Sequence, residues 1–182
     1  MMQASSRRGT SRRTFLRLSG LLCASVTTRA LAIAAPARDL AFAHTHTSET
    51  LAVTYWRGGA YDRPALASIN RLLRDFRTGQ VHAIAPELLD YLHAVRCALG
   101  CDAPFEVISG FRSPATNEML QRRSGGVATY SLHMEGRAID VRVPGVPTSR
   151  LRDAAASLKL GGVGYYASSG FVHLDTGRFR QW

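Results

Sequence analysis

Twice before residue 100, apolar residues recur at the three- and four-residue spacing of a helix. In the first run Leu66, Ile69, Leu72, Leu73 and Phe76 follow Pro64, and Gly79 lies past the end. In the second, Leu88, Leu89, Leu92, Val95 and Leu99 follow Pro86, with Gly100 as the stop. Ahead of both, residues 51–56 read as a strand and residues 57–62 as a Gly-containing turn.

After Pro104 the pattern changes. Residues 105–109 predict a strand, residues 110–114 a turn and residues 116–123 a short helix. Residues 124–135 read as a loop containing Gly and Ser. Residues 137–143 alternate as a strand, and residues 149–158 predict a helix with Leu151, Ala154, Ala155 and Leu158 inward. Residues 161–166 and 170–175 read as two strands of a hairpin with a short Ser-rich turn. There are no internal repeats. The order predicts an α+β domain, helices first and then a largely antiparallel sheet that carries the polar residues of interest.

The N-terminal stretch reads as a targeting segment. Arg12-Arg13-Thr14-Phe15-Leu16 ends a basic region, an apolar run covers residues 18–26, and Ala-x-Ala sites follow at Ala30–Ala32 and Ala35–Ala37. This is the order of a secretory signal. The paired arginines before Phe-Leu point to the twin-arginine route, with an ordinary Arg-rich secretory signal as the other reading. The run is short for a membrane span. Residues 38–50 look polar and Ala-rich, so His44 and His46 fall in an apparent flexible tail where a His-x-His pair has no evident role. The expected organisation is an export signal and linker over residues 1–43 and a folded domain over residues 44–182.

Charge then changes the picture. The chain carries 23 Lys and Arg against 13 Asp and Glu, a formal net charge of +10. Six of those arginines lie in the first 37 residues, which leaves 17 basic against 13 acidic groups in the remainder. The excess belongs mostly to the leader, so nucleic acid is not the implied partner. Cys97 and Cys101, beside Gly100, allow either a small disulfide in an oxidising compartment or two part-buried thiols.

The chemistry lies in the C-terminal half. His133 and Asp140 form a His-x6-Asp segment, with Gly136 allowing a tight turn between them. His173 lies on a separate strand, and Asp175, two residues on, projects from the same face. Two imidazoles and one carboxylate suit a zinc site with an open fourth position, the arrangement of hydrolytic zinc. Arg112, on the turn after a strand, is placed to clamp a carboxylate or to stabilise a developing oxyanion. Asp175 has two readings: the base that takes a proton from water, or a group that holds His173 in place. Glu135 points to solvent in this reading. One of Tyr165 and Tyr166 faces the core. Trp182 either packs or stacks on a sugar.

Residues 109–113 (Ser-Gly-Phe-Arg-Ser), 131–140 (Ser-Leu-His-Met-Glu-Gly-Arg-Ala-Ile-Asp), 161–166 (Gly-Gly-Val-Gly-Tyr-Tyr) and 171–177 (Phe-Val-His-Leu-Asp-Thr-Gly) together resemble the D-Ala-D-Ala-peptidase-like zinc peptidases of M15 type. Within that group they look most like the MepK-type murein endopeptidases. The resemblance implies the hedgehog/D-Ala-D-Ala-peptidase-like fold and one Zn²⁺ per chain on His133, Asp140 and His173. It also implies a periplasmic enzyme acting on peptidoglycan peptide stems, with no membrane span left after signal removal. The bond joining two diaminopimelate residues is one candidate cross-link. One departure stands out. Many relatives carry an acidic residue three positions before the second His as general base, and that position here is Gly170. A non-catalytic peptidoglycan-binding module that retains a structural metal site is therefore the competing reading.

Overall fold

The structure is a computed structural model that describes residues 36–123 and 128–182. The predicted leader, with its twin arginines, the whole Ala30–Ala32 site and the first residue of the Ala35–Ala37 site, lies outside the described residues. No helix among the described residues is long and apolar enough to cross a membrane.

The chain opens with β1 (Arg38–His44), β2 (Thr50–Arg57) and β3 (Ala60–Tyr61). Two helices follow, α1 (Arg63–Leu72) and α2 (Pro86–Leu99). Next come β4 (Phe105–Ser109), α3 (Pro114–Arg123), a 3-10 turn (Leu132–Glu135) and β5 (Ala138–Arg142). The chain closes with α4 (Thr148–Leu158), β6 (Gly162–Tyr166), β7 (Phe171–Asp175) and β8 (Arg180–Gln181). All eight strands join one sheet in the order β3-β2-β1-β4-β5-β7-β6-β8. Its pairings are antiparallel except β1 with β4 and β6 with β8. The expected α+β class with a largely antiparallel sheet is what the fold shows.

One side of the sheet carries the core. Leu40, Phe42, Val107, Ile139, Val141, Val172 and Leu174 pack there with Ile69, Leu88, Leu92, Val95, Leu151 and Ala155 from α1, α2 and α4. Each fully buried Leu contributes about 1.5–3 kcal/mol relative to exposure. The opposite faces of β4, β5 and β7 are thereby free for polar residues.

Two expectations need correction. Residues 38–43 are not linker: they belong to β1, which lies between β2 and β4 with Phe42 paired to Phe105. Alanines and charges hide the alternation of Leu40, Phe42 and His44, which are buried in turn. The folded domain therefore begins before residue 44. The first helix also stops at Leu72 rather than running on through Phe76. There the Phe111 N–H donates to the Leu73 carbonyl at 2.8 Å. Asp75 accepts from the Ser113 N–H at 2.9 Å and from its hydroxyl at 2.6 Å. The turn after β4 takes over the end of the helix, which local propensity cannot foresee. Cys97 and Cys101 are free thiols, the former exposed and the latter half-buried.

Candidate metal centre and its cleft

Register places the site. Ser109 on β4 pairs with Asp140 on β5, Asp140 with His173 on β7, and His173 with Gly164 on β6. These four positions form a row across the sheet, on the face away from the helical core. Strand alternation sends Phe171 and Asp175 to the same face as His173.

His133 arrives from the 3-10 turn. Ser131 opens that turn by accepting from the His133 N–H at 3.4 Å. Gly136 closes it at φ +66°, in contact with the chain at residue 83; a Cβ there would stand 2.1 Å from the Ala83 carbonyl oxygen. Both conditions require glycine. The turn is tied to the one that carries Arg112: His133 Nδ1 lies 2.7 Å from the Gly110 carbonyl, and the Arg112 N–H donates to the His133 carbonyl at 3.2 Å.

These contacts decide which nitrogen of each imidazole is free. A carbonyl only accepts, so His133 carries its proton on Nδ1 and presents the lone pair of Nε2. His173 Nε2 lies 3.0 Å from Asp175 Oδ2, so its proton sits there and Nδ1 presents the lone pair. The two free nitrogens are 3.2 Å apart. Asp140 Oδ1 lies 3.3 Å from His133 Nε2 and 2.9 Å from His173 Nδ1. With both imidazoles neutral, three electron-pair donors converge, a set that a divalent cation satisfies in place of the proton that His173 Nδ1 and Asp140 otherwise share. His133, Asp140 and His173 each offer a ligand atom within 4.8 Å of the others.

The charged groups around the donors are buried and paired. Burial opposes ionisation of Asp140, but His133, His173 and Arg112 outweigh it and hold its carboxyl below the ordinary range. Arg112 bonds the other oxygen, Oδ2, through Nη2 and donates from Nε to the Ser109 hydroxyl at 2.8 Å. Burial is also the largest influence on His133, whose imidazole it holds below the usual value. At His173 burial pulls the same way, but hydrogen bonds to Asp140 and Asp175 carry the imidazole above it.

Asp175 is 0% exposed. Arg180 grips it with Nη1 to Oδ1 at 3.0 Å and Nη2 to Oδ2 at 2.8 Å. The Gly177 and Gly162 N–H groups donate to Oδ1 at 2.8 and 3.3 Å. Burial opposes its ionisation, but His173, Arg180 and Gly177 hold its carboxyl below the ordinary range. Gly162 makes the arrangement possible, since a Cβ at that position would stand 2.4 Å from both Asp175 Oδ2 and Arg180 Nη1.

The donors lie in a cleft of about 640 Å³ that Arg112, Tyr130, Ser131, Tyr166, Phe171 and Trp182 help to line. Tyr166 faces the cleft, whereas Tyr165 lies beneath the Arg152 guanidinium and packs on the core. Glu135 is exposed and bonds Arg137. Sequence reading missed Arg180, the buried Asp75 and Ser109. No local signal marks them, because their partners lie on other elements; only the glycines of β6 hint that something large occupies their side of the sheet.

The family model described as peptidoglycan L,D-endopeptidase MepK matches residues 32–182. The peptidoglycan L,D-endopeptidase MepK of Escherichia coli K12 is 41% identical over 145 residues, covering 80% of this chain and 80% of that protein. The probable peptidoglycan L,D-endopeptidase MepK of Haemophilus influenzae is 42% identical over 146 residues, covering 80% of this chain and 78% of the relative. Among solved structures, the L-Ala D-Glu endopeptidase ChiX of Serratia marcescens overlays with a TM-score of 0.37 at 21% identity, over 51% of this chain and 80% of that one. That last likeness is too distant to carry a conclusion.

Proposed function

This chain belongs to the peptidoglycan L,D-endopeptidase MepK family, and from that membership we propose that it is a zinc-dependent murein endopeptidase that hydrolyses peptide cross-links of peptidoglycan. The observation that carries the reading is the convergence of His133 Nε2, His173 Nδ1 and Asp140 Oδ1, with both imidazole protons drawn to the far side of their rings.

Zinc held by these three ligands supplies a Lewis acid that acidifies water and polarises an amide carbonyl. The chain supplies the rest. Gly110 and Asp175 fix the tautomers of His133 and His173. Arg112 occupies Asp140 Oδ2, which leaves Oδ1 as the ligand atom. Its remaining N–H groups border the cleft and stabilise negative charge that develops on the amide oxygen. Of the two roles read for Asp175, orientation of His173 fits its surroundings. Its oxygens already accept from His173, Arg180, Gly162 and Gly177, so no lone pair is left facing water. The leader sends the protein to the periplasm by the twin-arginine route, and the cell-wall peptide stems are its partners there.

One observation favours the competing reading of a wall-binding module. Among the described residues, Asp140 and Asp175 are the only carboxylates that line the cleft, and both are paired. Purified protein incubated with cross-linked peptidoglycan, with and without chelator, separates the two. Chelator-sensitive loss of dimeric muropeptides supports the peptidase; binding with every cross-link intact supports the module. Mass spectrometry of products from defined dimers with 3–3 and 4–3 links then identifies the bond.

A further inference from the structure

The turn that carries Arg112 is held by three other parts of the chain. The Phe111 N–H donates to the Leu73 carbonyl at 2.8 Å, the Arg112 N–H to the His133 carbonyl at 3.2 Å, and the Ser113 N–H to Asp75 Oδ2 at 2.9 Å. At Gly110 a Cβ would stand 2.5 Å from the Leu73 carbonyl oxygen, so the turn lies directly against the end of α1. Of the three acceptors, only Asp75 is a side chain, and so only Asp75 can be changed without altering the backbone.

Asp75 is 1% exposed. Its backbone closes a small loop: its N–H donates to the Gln80 carbonyl at 3.0 Å, and its carbonyl accepts from the Gly79 N–H at 2.7 Å. Oδ1 accepts from the Arg77 N–H at 3.0 Å. Oδ2 accepts from Ser113 twice, from the N–H and, at 2.6 Å, from the hydroxyl. The Ser113 hydroxyl in turn accepts from the Thr116 N–H at 3.2 Å, in the first turn of α3. Burial opposes ionisation of Asp75, but hydrogen bonds from Ser113, Thr116 and Arg77 hold its carboxyl down to about 2. Among the described residues the groups that bond it are all neutral. A buried charge held by neutral groups is costly, and what this one holds is the residue that follows Arg112.

The other end of Arg112 meets Asp140 through Nη2 and Ser109 through Nε. Those contacts aim the guanidinium only while the backbone beneath it stays in place. A misplacement of about 1 Å in a group that acts on the reacting atoms costs about 10²-fold in rate. Resting on the peptidase reading above, we propose that Asp75 is a positioning residue of that reaction: as a carboxylate on Ser113, it fixes the backbone from which Arg112 reaches the cleft.

The test is a double-mutant cycle on the zinc-loaded protein with cross-linked muropeptide dimers. Asp75→Asn keeps the size of the side chain but turns one accepting oxygen into a donor, so Ser113 or Arg77 loses its acceptor. The expected kcat falls by about 10²-fold, with KM and zinc content close to those of the wild type, because Arg112 acts on charge that develops in the transition state. In an Arg112→Lys background Asp75→Asn lowers kcat little further, since the guanidinium it positions is gone. Ser113→Ala removes only the 2.6 Å bond. It serves if Asp75→Asn does not fold, and it repeats the pattern with about a tenfold loss. Nuclear magnetic resonance gives a readout apart from turnover: the signal of the Arg112 Nε–H, which donates to Ser109, shifts in both variants. Equal kcat losses in the two backgrounds, loss of zinc, or a kcat and an Nε–H signal that match the wild type overturn the positioning role and leave the peptidase reading intact. A zinc-loaded wild type that cuts none of the dimers overturns that reading and the proposal with it.

Discussion

Asp175 Oδ2 lies 3.0 Å from His173 Nε2, on the opposite edge of the ring from the 2.9 Å contact between His173 Nδ1 and Asp140. In the proposed zinc site the carboxylate therefore acts on the ligand His173 from behind. Asp175→Ala removes the acceptor that fixes the tautomer and leaves Arg180 without its partner. Zinc affinity, measured by competition with a chromophoric chelator, is expected to fall by about 10- to 100-fold. Arg180→Ala should shift it in the same direction by less. Unaltered affinity combined with a kcat loss of orders of magnitude would instead make Asp175 the proton acceptor.

His133→Ala, Asp140→Ala and His173→Ala each delete one of three converging donors. All three variants should purify without stoichiometric zinc and fail to release monomeric muropeptides. Chelation of the wild type is expected to lower its melting temperature, because a ligand bound only by the native state at a thousand times its dissociation constant stabilises by about 4 kcal/mol. The ligand variants should show no such response to chelator. A melting temperature indifferent to chelator in the wild type would count against a resident metal.

Arg112 reaches Ser109 through Nε and Asp140 through Nη2. A lysine has one point of charge and cannot span both. Arg112→Lys should lower kcat by about 10²- to 10³-fold if the guanidinium also stabilises the oxyanion, with zinc content close to that of the wild type. Normal kcat in this variant would restrict Arg112 to bracing Asp140.

His44 offers a pH test remote from the metal. Burial, and after it the neighbouring His46, lower its imidazole from 6.5 to about 4. Its Nδ1 accepts from the His46 N–H at 3.2 Å, a bond that protonation destroys. The unfolded chain therefore binds this proton more readily than the native one. The stability contribution is complete above pH 6.5 and declines as pH falls toward 4, by on the order of 2–3 kcal/mol in total. Urea midpoints of the wild type should drop between pH 7 and pH 4.5 by more than those of His44→Leu. Parallel profiles would remove His44 as the source.

Much of this protein could be read from residue order alone. Helical spacing located α2 with its Gly100 stop, and the two-residue alternation of β5 and β7 put Asp140, His173 and Asp175 on definable faces. Those are local properties, set by the geometry of a turn or a pleat. The tertiary structure decided what depends on residues far apart in the chain. It inserted β1 between β2 and β4, ended α1 where the Phe111 N–H meets Leu73, and selected the free nitrogen of each imidazole through Gly110 and Asp175. It also turned Asp175 inward through Arg180. A periodic pattern states which way a side chain faces, but strand register and long-range hydrogen bonds state what it meets.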